Sequence, residues 1–341
     1  MVGGFLSAFA AGFLMTAVPQ FTGSFPCNRL ELSAVTLLFA ALLGVGFLEN
    51  RTPFHMLAGL LFAFLILFFM RRFLARTYSP PKFFVFVGLG LGMGLLGAFL
   101  LAASDQGWTS ARSAQCARLI FTQGMILSLT LGVGTHLLPA IWGWTDLPIQ
   151  ISRSSEKGKQ PWRMIAPVAG LAMVLLLSFW IEVAIHTELG RGLRAGLVTI
   201  LGIGYWRILK KPKARGKLAF WLWISAWCLI IGLWVPVVSP THWVDGLHLS
   251  FIGGFGLMTF MVASRVTLAH GAYGVRLELR SVALTISSLL ILLSAFTRIL
   301  ALVVPDAYLH HLAYAAATWI LAVLIWGAVF VPKMIRLQES K

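Results

Sequence analysis

The sequence predicts an all-α polytopic integral membrane protein, a bundle of about eleven transmembrane helices. Of its 341 residues, 59% are hydrophobic and only 11% are charged, whereas about a quarter of the residues in a soluble domain are charged. The mean hydropathy is +0.87. Apolar stretches of bilayer length follow one another along the whole chain, so residues 1–341 are predicted to form a single transmembrane domain.

The predicted spans are the uncharged apolar stretches of roughly bilayer length. In chain order they cover approximately residues 4–19, 33–48, 54–70, 83–103, 117–138, 165–185, 192–209, 218–237, 245–268, 281–303 and 312–332. The longest loop is polar and predicts a flexible cytoplasmic connector at about 140–164. In the fourth span, glycines at 88 and 92 and at 90 and 94 predict close contact with neighbouring helices.

The distribution of basic residues between the loops predicts the orientation. Twenty of the 27 Lys and Arg residues lie in the odd-numbered loops and the C-terminal tail, and five lie in the even-numbered loops. Because cytoplasmic loops carry the excess of Lys and Arg, the N-terminus is predicted outside and the C-terminus in the cytoplasm. The remaining two, Arg265 and Arg298, lie inside predicted spans.

Several function classes find no support in the sequence. The net charge of +16 resides in short loops, where membrane topology accounts for it without nucleic acid. The scattered Cys27, Cys116 and Cys228 predict neither a disulfide framework nor a thiolate metal site. The chain contains no HExxH motif, Walker loop or Ser-His-Asp arrangement, so hydrolytic and nucleotide chemistry are unsupported.

Histidines concentrate at the predicted outer ends of the spans. The six on that side are His55, His186, His242, His248, His310 and His311. Neutral imidazole is a common ligand of copper and haem iron, and it costs less to bury than a charge. His248 is therefore predicted to form an outer site with His310 or His311, of which only one is expected to point inward because the two are adjacent.

Glu182 lies inside the sixth predicted span, where an unpaired carboxylate is costly. Glu182 and His186 are four residues apart and are predicted to share a helix face, so Glu182 could orient the imidazole as a metal ligand. The alternative is an ion pair between Glu182 and Arg191, Arg194 or Arg298. The sequence leaves both interpretations open.

His136 and His270 fall at the predicted inner ends of their spans and could form a bis-histidine pair there. His270 lies about 33 Å along a helix from His248, at ~1.5 Å per residue, so the two cannot bind one metal. The buried Arg265 and Arg298 each need an anionic partner, which a haem propionate could supply. For Arg265, the alternative is that its side chain reaches the inner interface.

Four segments resemble the NnrS family, in order and over essentially the whole chain: "AGFLMTAVPQFTG" (11–23), "LGVGTHLLP" (131–139), "GLHLSFIGGFGLMTFMVASRVTLAHG" (246–271) and "TRILALVVPD" (297–306). The resemblance implies a bacterial inner-membrane protein that binds haem and copper and acts in nitric oxide metabolism and resistance to nitrosative stress. No settled enzymatic reaction comes with it. Its motif positions correspond to His136, His248, Arg265, His270 and Arg298.

The chain departs from this family at its start. Members usually have twelve spans and a His-rich "H-HE" motif before the first matched segment, which implies that this chain lacks the usual first span. A shortened lineage, a late start codon or a trimmed sequence would each produce that difference. Gln20 and Phe21 also replace the Asn and Trp that the family favours.

The resulting hypothesis is a haem- and copper-binding inner-membrane protein that meets nitric oxide or a related small ligand in the bilayer. The alternative is a small-solute transporter or channel with buried Arg and His along its path. In the alternative, the Gly-rich stretch 253–256 would be a break in a discontinuous span.

Overall fold

A computed structural model describes residues 2–145, 162–270 and 276–336, and it confirms the predicted fold class. Within these ranges the chain is almost entirely helical, and no strand occurs. The helices are α1 (Ser7–Thr22), α2 (Arg29–Phe47), α3 (Arg51–Leu74), α4 (Phe84–Asp105), α5 (Ala111–Leu119), α6 (Met125–Ile141), α7 (Trp162–Ala184), α8 (Thr187–Leu201), α9 (Lys217–Val238), α10 (Trp243–His248), α11 (Leu257–His270), α12 (Arg276–Arg280), α13 (Val282–Val303) and α14 (Tyr308–Arg336).

Among the described residues, ten helical segments are long and apolar enough to cross a membrane. They correspond to ten of the predicted spans, and π-helical turns join α5 to α6 and α10 to α11 into continuous segments. The exception is the predicted span 192–209. Its helix α8 has 15 residues, and a π-helical turn at Gly202–Trp206 continues it.

Charge explains this exception. Glu188, Arg191 and Arg194 occupy the first half of α8 and lower its hydropathy, and charged residues at the centre of a span are costly. The helical segment ends before Arg207, whose φ of +56° is left-handed. The predicted orientation of the termini depends on the number of crossings, and it stays a prediction.

Local sequence determines where several helices begin. Asn28 starts α2 with a capping box: its side chain accepts a hydrogen bond from the Glu31 backbone N–H at 2.8 Å, and the Glu31 carboxylate accepts one from the Asn28 N–H at 3.0 Å. Ser110 caps α5 and Ser281 caps α13 by accepting backbone hydrogen bonds. Gly23 ends α1 with a left-handed φ of +61°.

The chain divides into two compact units. The first comprises Met1–Ala140 and Thr145–Trp206, and the second comprises Ile141–Trp144 and Arg207–Lys341. Each unit is described by itself below, and the single transmembrane domain stays a prediction. The predicted connector falls largely at 146–161, outside the described residues.

In the first unit, a buried ion pair ties α2 to α3. The Arg72 guanidinium, whose side chain is 0% exposed, donates two hydrogen bonds to the Glu31 carboxylate at 2.6 and 2.5 Å. Its planar group also lies 3.6 Å from the Phe68 ring centroid and 4.5 Å from that of Phe25. Two parallel hydrogen bonds with aromatic stacking are the geometry in which a buried Arg–Glu pair is tolerated.

The predicted glycine contacts of α4 form on only one of its two faces. A Cβ on Gly90 would lie 2.9 Å from the Met125 carbonyl oxygen, and one on Gly94 would lie 2.7 Å from the Phe62 ring. The Gly90–Gly94 face therefore packs closely, as predicted. Gly88 and Gly92 lie on the other face, and a Cβ there would meet nothing within 4 Å.

We expect Glu31→Gln to lower the free energy of unfolding by about 3–5 kcal/mol, because it leaves the buried Arg72 charge without its counter-ion. Arg71→Gln is the matched control. Arg71 pairs with the same carboxylate at 3.2 Å, but its side chain is 62% exposed, so its loss should cost about 0.2–1 kcal/mol. Reversible unfolding in bicelles measures both values. Equal effects of the two substitutions would contradict the importance of the buried pair.

Candidate functional site

Glu182 is held by two arginines within the first unit. Arg191 Nε donates to Oε1 at 3.0 Å, and Arg194 Nη2 makes a short hydrogen bond to Oε2. The side chains of Glu182 and Arg194 are 5% and 3% exposed, and the Arg194 guanidinium lies 4.1 Å from the Phe179 ring centroid. The ion-pair interpretation of Glu182 is therefore confirmed, with Arg191 and Arg194 as its partners.

The predicted shared helix face of Glu182 and His186 is wrong. Helix α7 ends at Ala184, and His186 is the N-cap of α8, where its Nδ1 accepts a hydrogen bond from the Leu189 N–H at 3.3 Å. The same nitrogen lies 3.2 Å from a Glu188 carboxylate oxygen, and the imidazole is 63% exposed. The chain turns between the two residues, so the periodicity of one helix does not relate them.

Glycines bring α9 and α10 into backbone contact in the second unit. A Cβ on Gly246 would lie 2.5 Å from the Gly232 carbonyl oxygen, and one on Gly232 would lie 2.7 Å from the Ser250 backbone nitrogen. The following residues, Leu249–Gly256, form a π-helical segment rather than a break. The span Pro240–Ala269 is thus helical throughout, and the break expected for a transporter does not occur within it.

This packing positions a polar group that we call the His248 cluster: His242, Asp245, His248 and Arg298. Arg298 on α13 donates from Nε to His248 Nε2 at 2.9 Å. Since a guanidinium only donates, His248 Nε2 accepts and the ring proton resides on Nδ1. Nδ1 is buried and faces the backbone of Val244, without a hydrogen bond of standard geometry.

The carboxylate of the cluster is only partly satisfied. Asp245 is 6% exposed, and its Oδ2 lies 2.7 Å from His242 Nδ1, whereas its Oδ1 is buried without a hydrogen-bond partner. Arg298 is half-buried and, within the described ranges, makes no ion pair. The cluster therefore combines an orphaned carboxylate oxygen, a neutral imidazole and an arginine whose charge no carboxylate neutralises.

His310 and His311, the predicted partners of His248, differ in burial. His310 is exposed, whereas His311 is half-buried and has a buried Nδ1 without a hydrogen-bond partner. The His311 ring lies 6.1 Å from that of Tyr314. His248 hydrogen-bonds Arg298 rather than either of these histidines, so their predicted pairing with His248 stays a prediction.

The second buried arginine finds its counter-ion within the chain. Arg265 Nη1 makes a short hydrogen bond to the Glu278 carboxylate on α12, and the two side chains are 30% and 14% exposed. Glu278 lies outside the predicted spans, so sequence reasoning that searched the spans for a partner missed it. Asp245 was missed as well, although its i, i+3 spacing from His242 was visible.

Of the two histidines predicted for the inner site, only the side chain of His136 is described. His136 on α6 is half-buried, with its ring centroid 5.9 Å from that of Phe21. The backbone of His270 ends α11, but its side chain lies outside the described part of the chain. The predicted bis-histidine pair therefore stays a prediction.

We expect Gly190→Ala to destabilise the Glu182 ion pair, because a Cβ there would lie 2.5 Å from both the Glu182 nitrogen and the Ser178 carbonyl oxygen. Backbone atoms cannot yield as a flexible side chain can, and overpacking costs about 1–3 kcal/mol. Gly196→Ala on the same helix is the control, because its Cβ would meet nothing within 4 Å. Thermal unfolding should show a lower Tm for Gly190→Ala only, and equal Tm values would contradict this close approach.

Comparison with known proteins identifies the family. The family model described as NnrS protein matches residues 1–337, which is nearly the whole chain. No curated protein and no solved structure matched the chain. The family match, together with the ten apolar helices, indicates a multi-pass membrane protein with a role related to the nitric oxide response. The chain belongs to the NnrS family.

Proposed function

We propose that this protein binds haem at the His248 cluster and acts in the nitric oxide response at the bacterial inner membrane. The observation that carries the proposal is the hydrogen bond from Arg298 to His248 Nε2 at 2.9 Å. It joins a neutral imidazole, the form that binds a metal, to a cation that has no carboxylate partner in the described parts of the second unit.

The residues fit a haem group in two respects. His248 offers a nitrogen lone pair at Nε2, where its present partner is a hydrogen-bond donor that can exchange. Arg298 offers a guanidinium whose charge-assisted hydrogen bonds suit a propionate carboxylate. A bound haem iron would supply a coordination position for nitric oxide, which partitions into lipid.

The protein residues have separate tasks in this arrangement. His248 would hold the iron through Nε2, and the backbone contact between Gly232 and Gly246 fixes the start of its helix. Arg298 would hold the anionic edge of the ligand by charge-assisted hydrogen bonds. We assign Arg265 no such task, because Glu278 already neutralises it.

Glu182 and His186, of which the sequence predicted His186 as a metal ligand and Glu182 as its orienting carboxylate, do not fit a metal site. The two oxygens of Glu182 are bound by Arg191 and Arg194, and His186 is an exposed helix cap. Across the three described ranges, no group of three or more His, Cys, Asp and Glu side chains could hold a metal ion. We therefore derive no role for copper at these residues.

We expect purified protein supplemented with haem to develop a Soret band and His248→Ala to lose or shift it, because the substitution removes the ligand nitrogen. His310→Ala is the matched control, since His310 is an exposed histidine. A titration followed by absorbance gives the affinity of each variant. If no Soret band forms, or if both variants bind haem like the unmodified protein, His248 is not the ligand.

Arg298→Gln should weaken haem binding by about ten- to a hundredfold while retaining the Soret maximum. The substitution removes hydrogen bonds to a charged group, worth about 1.5–3 kcal/mol, but leaves the imidazole in place. The same absorbance titration measures both the affinity for haem and the wavelength of the Soret maximum. Arg265→Gln serves as the comparison, and an equal loss of affinity there would contradict a specific role for Arg298.

A further inference from the structure

An open pocket in the second unit lies between the start of α9, with the loop before it, and the end of α12. We call it the basic pocket. Its volume is about 410 Å³, and its lining residues are Arg215, Gly216, Lys217, Phe220, Leu279 and Arg280. The two segments belong to loops that the sequence places on the same, basic side of the membrane. None of these residues belongs to the His248 cluster.

Three cations line the basic pocket without a counter-ion. Arg215, Lys217 and Arg280 make no ion pair among the residues that the structure describes. The nearest carboxylate in sequence, that of Glu278, is already bound to Arg265. The pocket therefore has an uncompensated positive charge, which predicts an anionic occupant.

The backbone adds to this positive potential. Gly216 is the N-cap of the 22-residue helix α9 and provides no side-chain hydrogen bond to its first turn. The free N–H groups of the first turn and the positive end of the helix dipole thus lie at the N-terminus of α9, beside Arg215 and Lys217. Both features favour an oxyanion, and phosphate is the common example.

The preceding loop is basic and held in place. Lys213, Lys210 and Arg207 lie 4.6, 5.8 and 5.8 Å from the Trp144 ring centroid. The backbone N–H of Lys213 also donates to the Trp142 carbonyl oxygen at 2.9 Å. These contacts keep three further cations on the segment that leads to the basic pocket.

The pocket also has an apolar wall. Phe220 is 47% exposed and Leu279 is 37% exposed. Phe220 lies on the first turn of Lys217–Val238, a segment apolar enough to cross the membrane. We therefore expect the pocket where that span meets the headgroup layer. A soluble phosphate would use the cations alone, whereas a phospholipid would also cover the apolar wall.

We propose that the basic pocket binds one anionic phospholipid. The phosphate lies between Arg215, Lys217 and Arg280, and the start of an acyl chain covers Phe220 and Leu279. Clusters of Lys and Arg beside a membrane span attract anionic lipid by about 1 kcal/mol per basic residue, which corresponds to roughly fivefold in affinity.

The test uses the full chain in phosphatidylcholine vesicles with trace spin-labelled phosphatidylglycerol or phosphatidylcholine. Electron paramagnetic resonance measures the ratio of their association constants. We expect a clear preference for phosphatidylglycerol and a loss of roughly fivefold or more in the triple variant R215Q/K217Q/R280Q. We also expect F220Q/L279Q, which retains every charge, to weaken phosphatidylglycerol binding. If the triple variant fails to fold, R280Q alone provides the charge comparison, since Arg280 is exposed.

The control R29Q/R76Q/K82Q removes three positive charges from the other unit on the same predicted side of the membrane. It should retain the preference for phosphatidylglycerol. An equal loss in both triple variants would assign the preference to diffuse charge and overturn the proposal. Displacement of the labelled lipid by inorganic phosphate, but not by chloride at equal ionic strength, would assign the site to soluble phosphate and overturn it as well.

Discussion

The cost of burying a guanidinium among apolar helices determines how the polar groups of this protein are arranged. A charge removed from water requires a partner, and removing that partner leaves a penalty of several kcal/mol. Three ion pairs each join two separate helices. They are Arg72–Glu31, Arg194–Glu182 and Arg265–Glu278. These pairs therefore stabilise specific helix neighbours rather than adding affinity for a ligand.

Arg298 differs from these arginines because its partner is neutral. It donates to His248, which offers a lone pair but no charge. Asp245, three residues before His248, retains an unpartnered buried oxygen. An arginine without a carboxylate partner and a buried oxygen without a hydrogen bond are expected where a protein binds an anionic or metal-containing ligand. The His248 cluster is for that reason the strongest candidate for the function of the family in this chain.

Hydropathy predicted the helices well, because a bilayer requires about twenty apolar residues per span and the pattern is local. The glycine pattern of α4 predicted close helix packing, but it could not show which face of the helix has a close neighbour. The Gly90 face packs closely, whereas the Gly88 face does not. The partner of Arg265 could not be predicted from the spans, because Glu278 lies beyond them, on the separate helix α12. His186 was misplaced because the end of α7 has no strong sequence signal.

The second unit combines three different uses of positive charge. Arg265 stabilises the end of α11, Arg298 holds an imidazole, and the basic pocket faces the predicted headgroup layer without a counter-ion. The positive-inside pattern explains why basic residues accumulate on one side. It does not explain why a pocket with an apolar wall forms there, whereas the proposed phospholipid would.

The most direct test of the central claim is electron–nuclear double resonance on the ferric, haem-loaded protein with ¹⁵N-labelled histidine. The account predicts a strong nitrogen coupling from a histidine bound to the iron, present in the unmodified protein and absent in His248→Ala. A coupling that persists unchanged in His248→Ala, or no histidine coupling in the unmodified protein, would contradict it.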